Sequence, residues 1–364
     1  MKKQRIGILL IFGILALSLA ACTGAGTSNS FSGVLLTEQN VYYAGGAKLT
    51  ALDGLNGNPL WSYPEKTTPT RLFYAEPVMA GEQLIVVDYD KKLTSLNPKT
   101  GSELWQFTGA KSKYIDSPLV TENLIIAPNS DYSLYALDYD GKLVWTYEAE
   151  QALWTRPVTD GTTVFFPSMD RNLYALDLAT GNLKWKIDLG TSTVARPLLD
   201  MGVIYIGNLS GTVFAINAQD GSEVWKENME GGIWAAPLAH DGKLYLGDLT
   251  GRINIINMAD GNLVDYYDTS DDAADAKKAA ILGAGVLIEN GIVFGNEDGM
   301  LFLIDFEGKK IDDESLDGPI YSNIQFLGDQ LLVCVTQSES KTPLVSLKTD
   351  FRDNWDFSES NKGK

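Results

Sequence analysis

The chain has 364 residues, 45% hydrophobic and 21% charged, a composition that excludes a wholly disordered chain and fits a folded domain of some size. Its formal charge of −18 makes nucleic acid and bare anionic lipid poor partners. With only Cys22 and Cys334 in the sequence, stability has to come from packing rather than from a disulfide framework.

Residues 1–21 read as a lipoprotein signal peptide. Lys2, Lys3 and Arg5 form the basic start, 6–17 is apolar, and "LAAC" closes the segment at 19–22. The apolar run falls short of the roughly 20 residues a membrane-spanning helix needs. The tetrapeptide resembles a bacterial lipobox, which makes Cys22 the lipidated first residue of the mature chain and the membrane its first partner. Residues 22–33, rich in small polar side chains, then read as a flexible tether. Cleavage removes three cations and leaves 26 basic against 47 acidic side chains, a net of about −21. The implied location is extracytoplasmic: the periplasmic face of an outer membrane if the host has one, the outer face of the cytoplasmic membrane otherwise. Thr23 rather than Asp follows the cysteine, so retention at an inner membrane is not signalled.

From residue 34 to 358 one pattern repeats. "LTALDGLNGNPLW" at 49–61 returns as "KLTSLNPKTGSELW" at 92–105, "SLYALDYDGKLVW" at 133–145, "NLYALDLATGNLKW" at 172–185 and "TVFAINAQDGSEVW" at 212–225. The apolar starts at Leu49, Leu93, Leu134, Leu173, Val213, Ile253, Leu301 and Leu344 lie 44, 41, 39, 40, 40, 48 and 43 residues apart. A period near 40 with four short strands per unit predicts an all-β fold, an eight-bladed propeller of four-stranded antiparallel blades. Stretches such as "LYALD" are apolar on both faces, as strands covered from two sides must be. Pro77, Pro118, Pro157, Pro197 and Pro237 each open an apolar run, where a strand loses no ladder donor to proline.

Each unit ends in a tight hairpin and a tryptophan. Gly181 suits the left-handed turn, and Asp177 accepts hydrogen bonds from the turn's amides. Trp61, Trp105, Trp145, Trp185 and Trp225 are expected to fill the wedges between successive blades against small residues of the next blade. Two units depart: Asp265 stands where Trp is expected, and "MLFLIDFEGKKID" at 300–312 has none. The segment 269–280 reads as a surface insertion with a turn or two of helix. The last unit keeps Trp355 but has lost the glycine, and 359–364 is a polar tail.

The spacing Ala-x-Asp-x-x-x-Gly-x-x-x-Trp, matched by Ala175, Asp177, Gly181 and Trp185 and by Ala51, Asp53, Gly57 and Trp61, resembles the tryptophan-docking motif of quinoprotein (PQQ-like) propeller repeats. Ala215, Asn217, Gly221 and Trp225 match with Asn for Asp. Eight such units behind a lipobox are similar to the BamB family, the propeller lipoproteins of outer-membrane β-barrel assembly, and 247–264 is especially similar to a late blade of that family. The resemblance implies an eight-bladed ring and a non-catalytic scaffold with a protein partner. An enzyme of the quinone-dependent dehydrogenase kind, or a receptor for a small molecule or carbohydrate, is the alternative reading.

No catalytic, cofactor or metal site is expected. The sequence has no adjacent cysteine pair, "DYDG" at 138–141 occupies an ordinary hairpin turn, and the single His240 sits in an "AHDG" turn as a solvated residue. Binding residues are expected on the rim of the channel instead. If the proline-led strands are innermost, Glu76, Ser117, Arg156, Arg196 and Ala236 surround the channel, with Tyr74, Trp154 and Trp234 three positions before a proline. Tyr74, Trp154, Arg156, Arg196 and Trp234 are the candidate contacts for a partner protein, since aromatic and Arg side chains dominate such interfaces.

Overall fold

The computed structural model describes residues 31–270, 278–336 and 342–358. The expected signal peptide, Cys22 with its expected lipidation, nearly all of the expected tether, the core of the 269–280 insertion and the polar tail therefore lie outside the described residues. Within them the repeats fold into eight antiparallel sheets of four strands, each sheet built from consecutive strands: blade 1 (33–63), 2 (78–107), 3 (119–148), 4 (158–188), 5 (198–228), 6 (238–268), 7 (286–315) and 8 (325–357). The protein is an eight-bladed β-propeller. Second and third strands are buried along almost their whole length, whereas fourth strands such as Leu183–Asp188 alternate exposed and half-buried residues at the outer edge.

The apolar starts explain this layering. A strand buried on both faces gains roughly 25 cal/mol for each Å² of apolar surface removed from water, and only a sheet packed between two neighbours offers two such faces. Leu173 and Ala175 accordingly pack with Ile204, Ile206 and Ile216 of blade 5, while Tyr174 and Leu176 pack with Ile126, Leu134 and Ala136 of blade 3.

The tryptophans sit where the fourth strand bulges. In every blade the pairing of third and fourth strands slips by one residue just before the tryptophan position, which sets Trp185 opposite Ala175 and Trp225 opposite Ala215. From there each indole reaches the hairpin of the next blade. Its N–H donates to a backbone carbonyl directly after the Asp or Asn: Trp61 to Pro98 (3.0 Å), Trp105 to Tyr139 (2.9 Å), Trp145 to Leu178 (3.0 Å), Trp185 to Ala218 (3.2 Å) and Trp225 to Met258 (2.8 Å). Its ring lies on the hairpin glycine. A Cβ added to Gly181 would come within 2.7 Å of the Trp145 ring, and the glycine's φ of 72° is itself costly for other residues. The ring closes by the same contact. Trp355 donates to the Gly54 carbonyl at 3.2 Å and covers Gly57, and Leu332, Cys334, Leu344 and Phe357 of blade 8 pack on Val34, Val41, Tyr43 and Leu52 of blade 1. Among the described residues no strand is exchanged between the first and last blades.

The two seams without tryptophan are filled from other positions. Where Trp is present its cross-strand neighbour is Ala or Ser; opposite Asp265 and Asp312 it is Ile255 and Leu303. At the seam from blade 6 to blade 7, Ile255 occupies the space over Gly308, the Tyr245 hydroxyl donates to the Phe306 carbonyl at 2.8 Å, and His240 stacks on the Phe306 ring at 3.9 Å. His240 is thus a packing residue at a seam rather than a solvated turn residue. At the seam from blade 7 to blade 8 the aromatic comes from the opposite side: Phe351 stands at the hairpin-glycine position, held at φ 57° and buried against the cluster of Leu303, Val293 and Leu347. The missing glycine of the last unit and the missing tryptophan of the unit before it are one exchange.

Phe351→Gly is therefore expected to destabilise the ring by about 2 to 3 kcal/mol, less than an ordinary buried Phe deletion because the left-handed strain is released. Adding Leu303→Ala and Asp312→Trp should recover part of that loss. Equilibrium denaturation of the single and triple variants checks it; a triple variant weaker than the single one would show that the seam is not an exchanged tryptophan dock.

Candidate functional site: the channel mouth

The crossovers that lead from the outer strand of one blade to the inner strand of the next run extended, so their side chains alternate in direction. One set is buried and anchors the crossover: Phe73, Tyr114, Leu153, Thr193, Ile233 and Ile320. Backbone hydrogen bonds fix the same points, as from Leu153 N–H to the Asn129 carbonyl (3.1 Å) and Ile233 N–H to the Asn208 carbonyl (2.9 Å). The next residue in each case points outward. This places Tyr74, Trp154 and Trp234 on one rim together with Ile115, Val194 and Tyr321, which the sequence reading did not single out. Two residues further along lie the side chains directly before the strand-opening prolines.

Those side chains meet across the channel. Arg196 donates to Asp116 through Nε (2.9 Å) and Nη2, and to Glu76 through Nη1 (2.9 Å). The other Glu76 oxygen accepts from Asn323 Nδ2 at 2.7 Å, and Asn323 Oδ1 accepts the Ala284 N–H at 2.8 Å. Asp116 also accepts the backbone N–H groups of Ser117 and Arg156, both at 2.7 Å. Every crossover except 229–237 is tied into this network. Its charged members are largely screened from solvent, with side-chain exposures of 22% for Arg196, 11% for Glu76 and 15% for Asp116.

Burial alone would raise the Asp116 carboxyl, but the Arg196 guanidinium and the two backbone donors outweigh it and hold the pKa below the usual carboxylate value. Arg196 is held even more firmly in its charged form: the attraction of Asp116 and Glu76 exceeds the cost of burial. For Arg156 burial dominates, the like charge of Arg196 adds to it, and its pKa falls. The Cys334 thiol, pushed up to about 12 by burial, is chemically quiet.

Glu76 and Arg196 are thus brought together from the expected set. Arg156, Arg196 and Ala236 line one cleft, whereas Ser117 is buried. The rim aromatics are dispersed. Trp154 is the most open at 38% exposure, Tyr74 packs edge-on against Tyr89 with ring centres 5.2 Å apart, and Trp234 shares a cluster with Phe31, which lies 4.9 Å from Tyr321. Asp116 and Asn323 were missed because Asp116 falls one position earlier than its counterparts and the seventh and eighth units lack the proline. Register counted back from the apolar starts reaches Ala284 before Leu301 but Leu327 before Leu344, so it would not have found Asn323.

A family model described as outer membrane protein assembly factor BamB matches residues 23–117, 48–197 and 191–339. The chain belongs to the BamB family. A BamB of Nitrosomonas eutropha is 28% identical over 136 residues, 37% of this chain and 32% of that protein, so the match spans about a third of the relative. Among solved structures, BamB from Moraxella catarrhalis superposes with a TM-score of 0.71 at 17% identity, covering 86% of this chain and 92% of that one. The computationally designed Ika8 protein (TM-score 0.72, 14% identity, 85% and 94% covered) and a europium-containing methanol dehydrogenase (0.72, 11%, 83% and 81%) share the same ring. At these identities the likeness is one of fold, which extends from BamB to an enzyme. Among the described residues no group of three or more His, Cys, Asp or Glu side chains could hold a metal. The two carboxylates at the channel are both engaged by Arg196.

Proposed function

We propose that this BamB-family chain is a non-catalytic lipoprotein, anchored through Cys22 on an extracytoplasmic membrane face, whose ring binds a protein partner in outer-membrane protein assembly. The observation that carries this reading is the tied channel. A ligand-dependent enzyme on this fold needs open, convergent polar groups near the axis, and here Glu76, Asp116, Arg196 and Asn323 satisfy one another across it. The aromatic side chains available for recognition are on the rim, where Trp154 and Trp234 offer the large flat surfaces that anchor protein interfaces. Membership in the family of outer-membrane assembly factors and the lipobox-like segment at 19–22 support the same reading.

Two experiments test its parts. A fatty-acid probe fed to cells is expected to label the wild type and not Cys22→Ser; equal labelling of both would refute the anchor. Crosslinking in native membranes is expected to capture a protein partner, and Trp154→Ala with Trp234→Ala to reduce capture about tenfold or more while the ring stays folded. Stoichiometric quinone binding with dehydrogenase turnover would replace the scaffold by an enzyme.

A further inference from the structure

Beside the tied network one cation is left over. Arg196 takes both channel carboxylates, and the Asp116 oxygen nearest Arg156 accepts its backbone N–H rather than its guanidinium. Among the described residues the Arg156 guanidinium makes no hydrogen bond or ion pair, so its five N–H donors are open to a ligand. It is nonetheless half-buried, and that burial together with the positive charge of Arg196 lowers its pKa. A partly buried cation in that position is stabilised by any anion that reaches it.

The space next to it is shaped for such an anion. A cleft opens along the innermost strands Val158–Thr159 and Leu198–Asp200, walled by Leu119, Val158, Leu198, Leu199 and the prolines 157, 197 and 237. Among the described residues that line it, Arg156 and Arg196 are the charged ones. One open cationic fork at the end of an apolar wall recognises a planar anion carried on an aliphatic body, because the fork pairs with both carboxylate oxygens while the wall takes the hydrocarbon. The protein's net negative charge opposes this only over distances that salt screens within about 8 Å.

We propose that the channel cleft at Arg156 binds an aliphatic carboxylate. The acid can come from a free short-chain molecule or from the C-terminus of a peptide ending in an aliphatic residue, and the cleft chemistry is the same for both. The inference does not rest on the scaffold reading, since membrane crosslinking reads that one and titration reads this one.

The test is calorimetric titration of the full processed chain with hexanoate and with acetyl-Leu-Leu carrying a free carboxylate, against hexanamide and the corresponding peptide amide. Saturable binding of at least one acid is expected, with the matched amide weaker by about tenfold or more. Arg156→Gln should weaken the acid by a similar factor and Arg156→Lys by less, with thermal unfolding confirming that each variant folds. Leu198→Trp, which fills the cleft and leaves both arginines, should abolish binding and serves if Arg156→Gln does not fold. Tighter binding of hexanoate assigns the site to a free acid, and tighter binding of the peptide to a chain end. Amides binding as well as acids, unchanged affinity in Arg156→Gln or Leu198→Trp, or no saturable binding of either acid up to about 10 mM would each overturn the proposal.

Discussion

Trp225→Ala is expected to destabilise the ring by about 3 to 5 kcal/mol, the cost of deleting a large buried aromatic with little room to collapse. The indole is 8% exposed, lies between Ala215 of its own blade and Gly261 of the next, and belongs to a cluster with Tyr205, Ile233, Leu244 and Ile256. Neither neighbour can move into the void: Ala215 is held in a central strand, and Gly261 in a hairpin at φ 77° whose amide donates to the Asn257 carbonyl at 2.9 Å. Trp225→Phe separates the two contributions of the residue. It keeps most of the packing and loses the 2.8 Å bond to the Met258 carbonyl, so its cost should be nearer 1 kcal/mol. Urea denaturation of both variants checks the order. A Trp225→Ala loss under about 1 kcal/mol would mean that the seams are held mainly by the buried strands and that the docked indole is dispensable.

The spacing that made the fold legible is the one this prediction relies on. Apolar starts near every 40 residues, a turn glycine and a tryptophan four residues later are local signals, and each repeats often enough to be read without a partner segment. The exchange at the seam from blade 7 to blade 8 was not legible from local pattern, because it couples Asp312 and Leu303 in one blade to Phe351 in the next. Read alone, an Asp at a tryptophan position and a Phe at a glycine position look like decay of the repeat. Read as a seam, they conserve its volume, with Leu replacing Ala and the aromatic arriving from the other side. The same logic explains His240, whose sequence context shows only a turn and whose ring is packed on Phe306 across a blade boundary.

At the channel the sequence placed the right loops and left their partners unresolved. Counting back from the prolines gives the positions that face the axis, since an extended crossover alternates its side chains, and Glu76, Arg156 and Arg196 follow from that count. Which carboxylate meets which arginine depends on distances across the ring, between residues 80 and 120 positions apart in the chain. Asp116, displaced by one residue in its crossover, turns its carboxylate back toward Arg196 and the amides of Ser117 and Arg156.

That arrangement gives the second large effect a pH signature. Arg196→Ala is expected to cost about 3 to 5 kcal/mol near neutral pH, because it leaves two largely buried carboxylates without their counter-charge. In the wild type the Asp116 pKa lies below the unfolded value of 3.8, so the group stabilises the fold fully above that value and its contribution is lost as pH falls through the folded pKa. In the variant the guanidinium is gone and burial acts on Asp116 opposed only by the backbone donors and Arg156. Its folded pKa should then rise, the folded state takes up the proton first, and acidification toward pH 4 relieves the variant while the wild type keeps its Asp116 contribution until the pH falls below 3.8. The stability gap between the two should therefore be widest near pH 7 and should narrow steadily toward about pH 4. Arg196→Lys, which keeps the charge and loses the two-pronged geometry, should show a smaller gap with a shallower slope. Denaturation curves across that range decide the matter: a gap that does not change with pH would mean that Arg196 holds the channel closed by packing alone, and that the charges of Glu76 and Asp116 are met by solvent rather than by the ring.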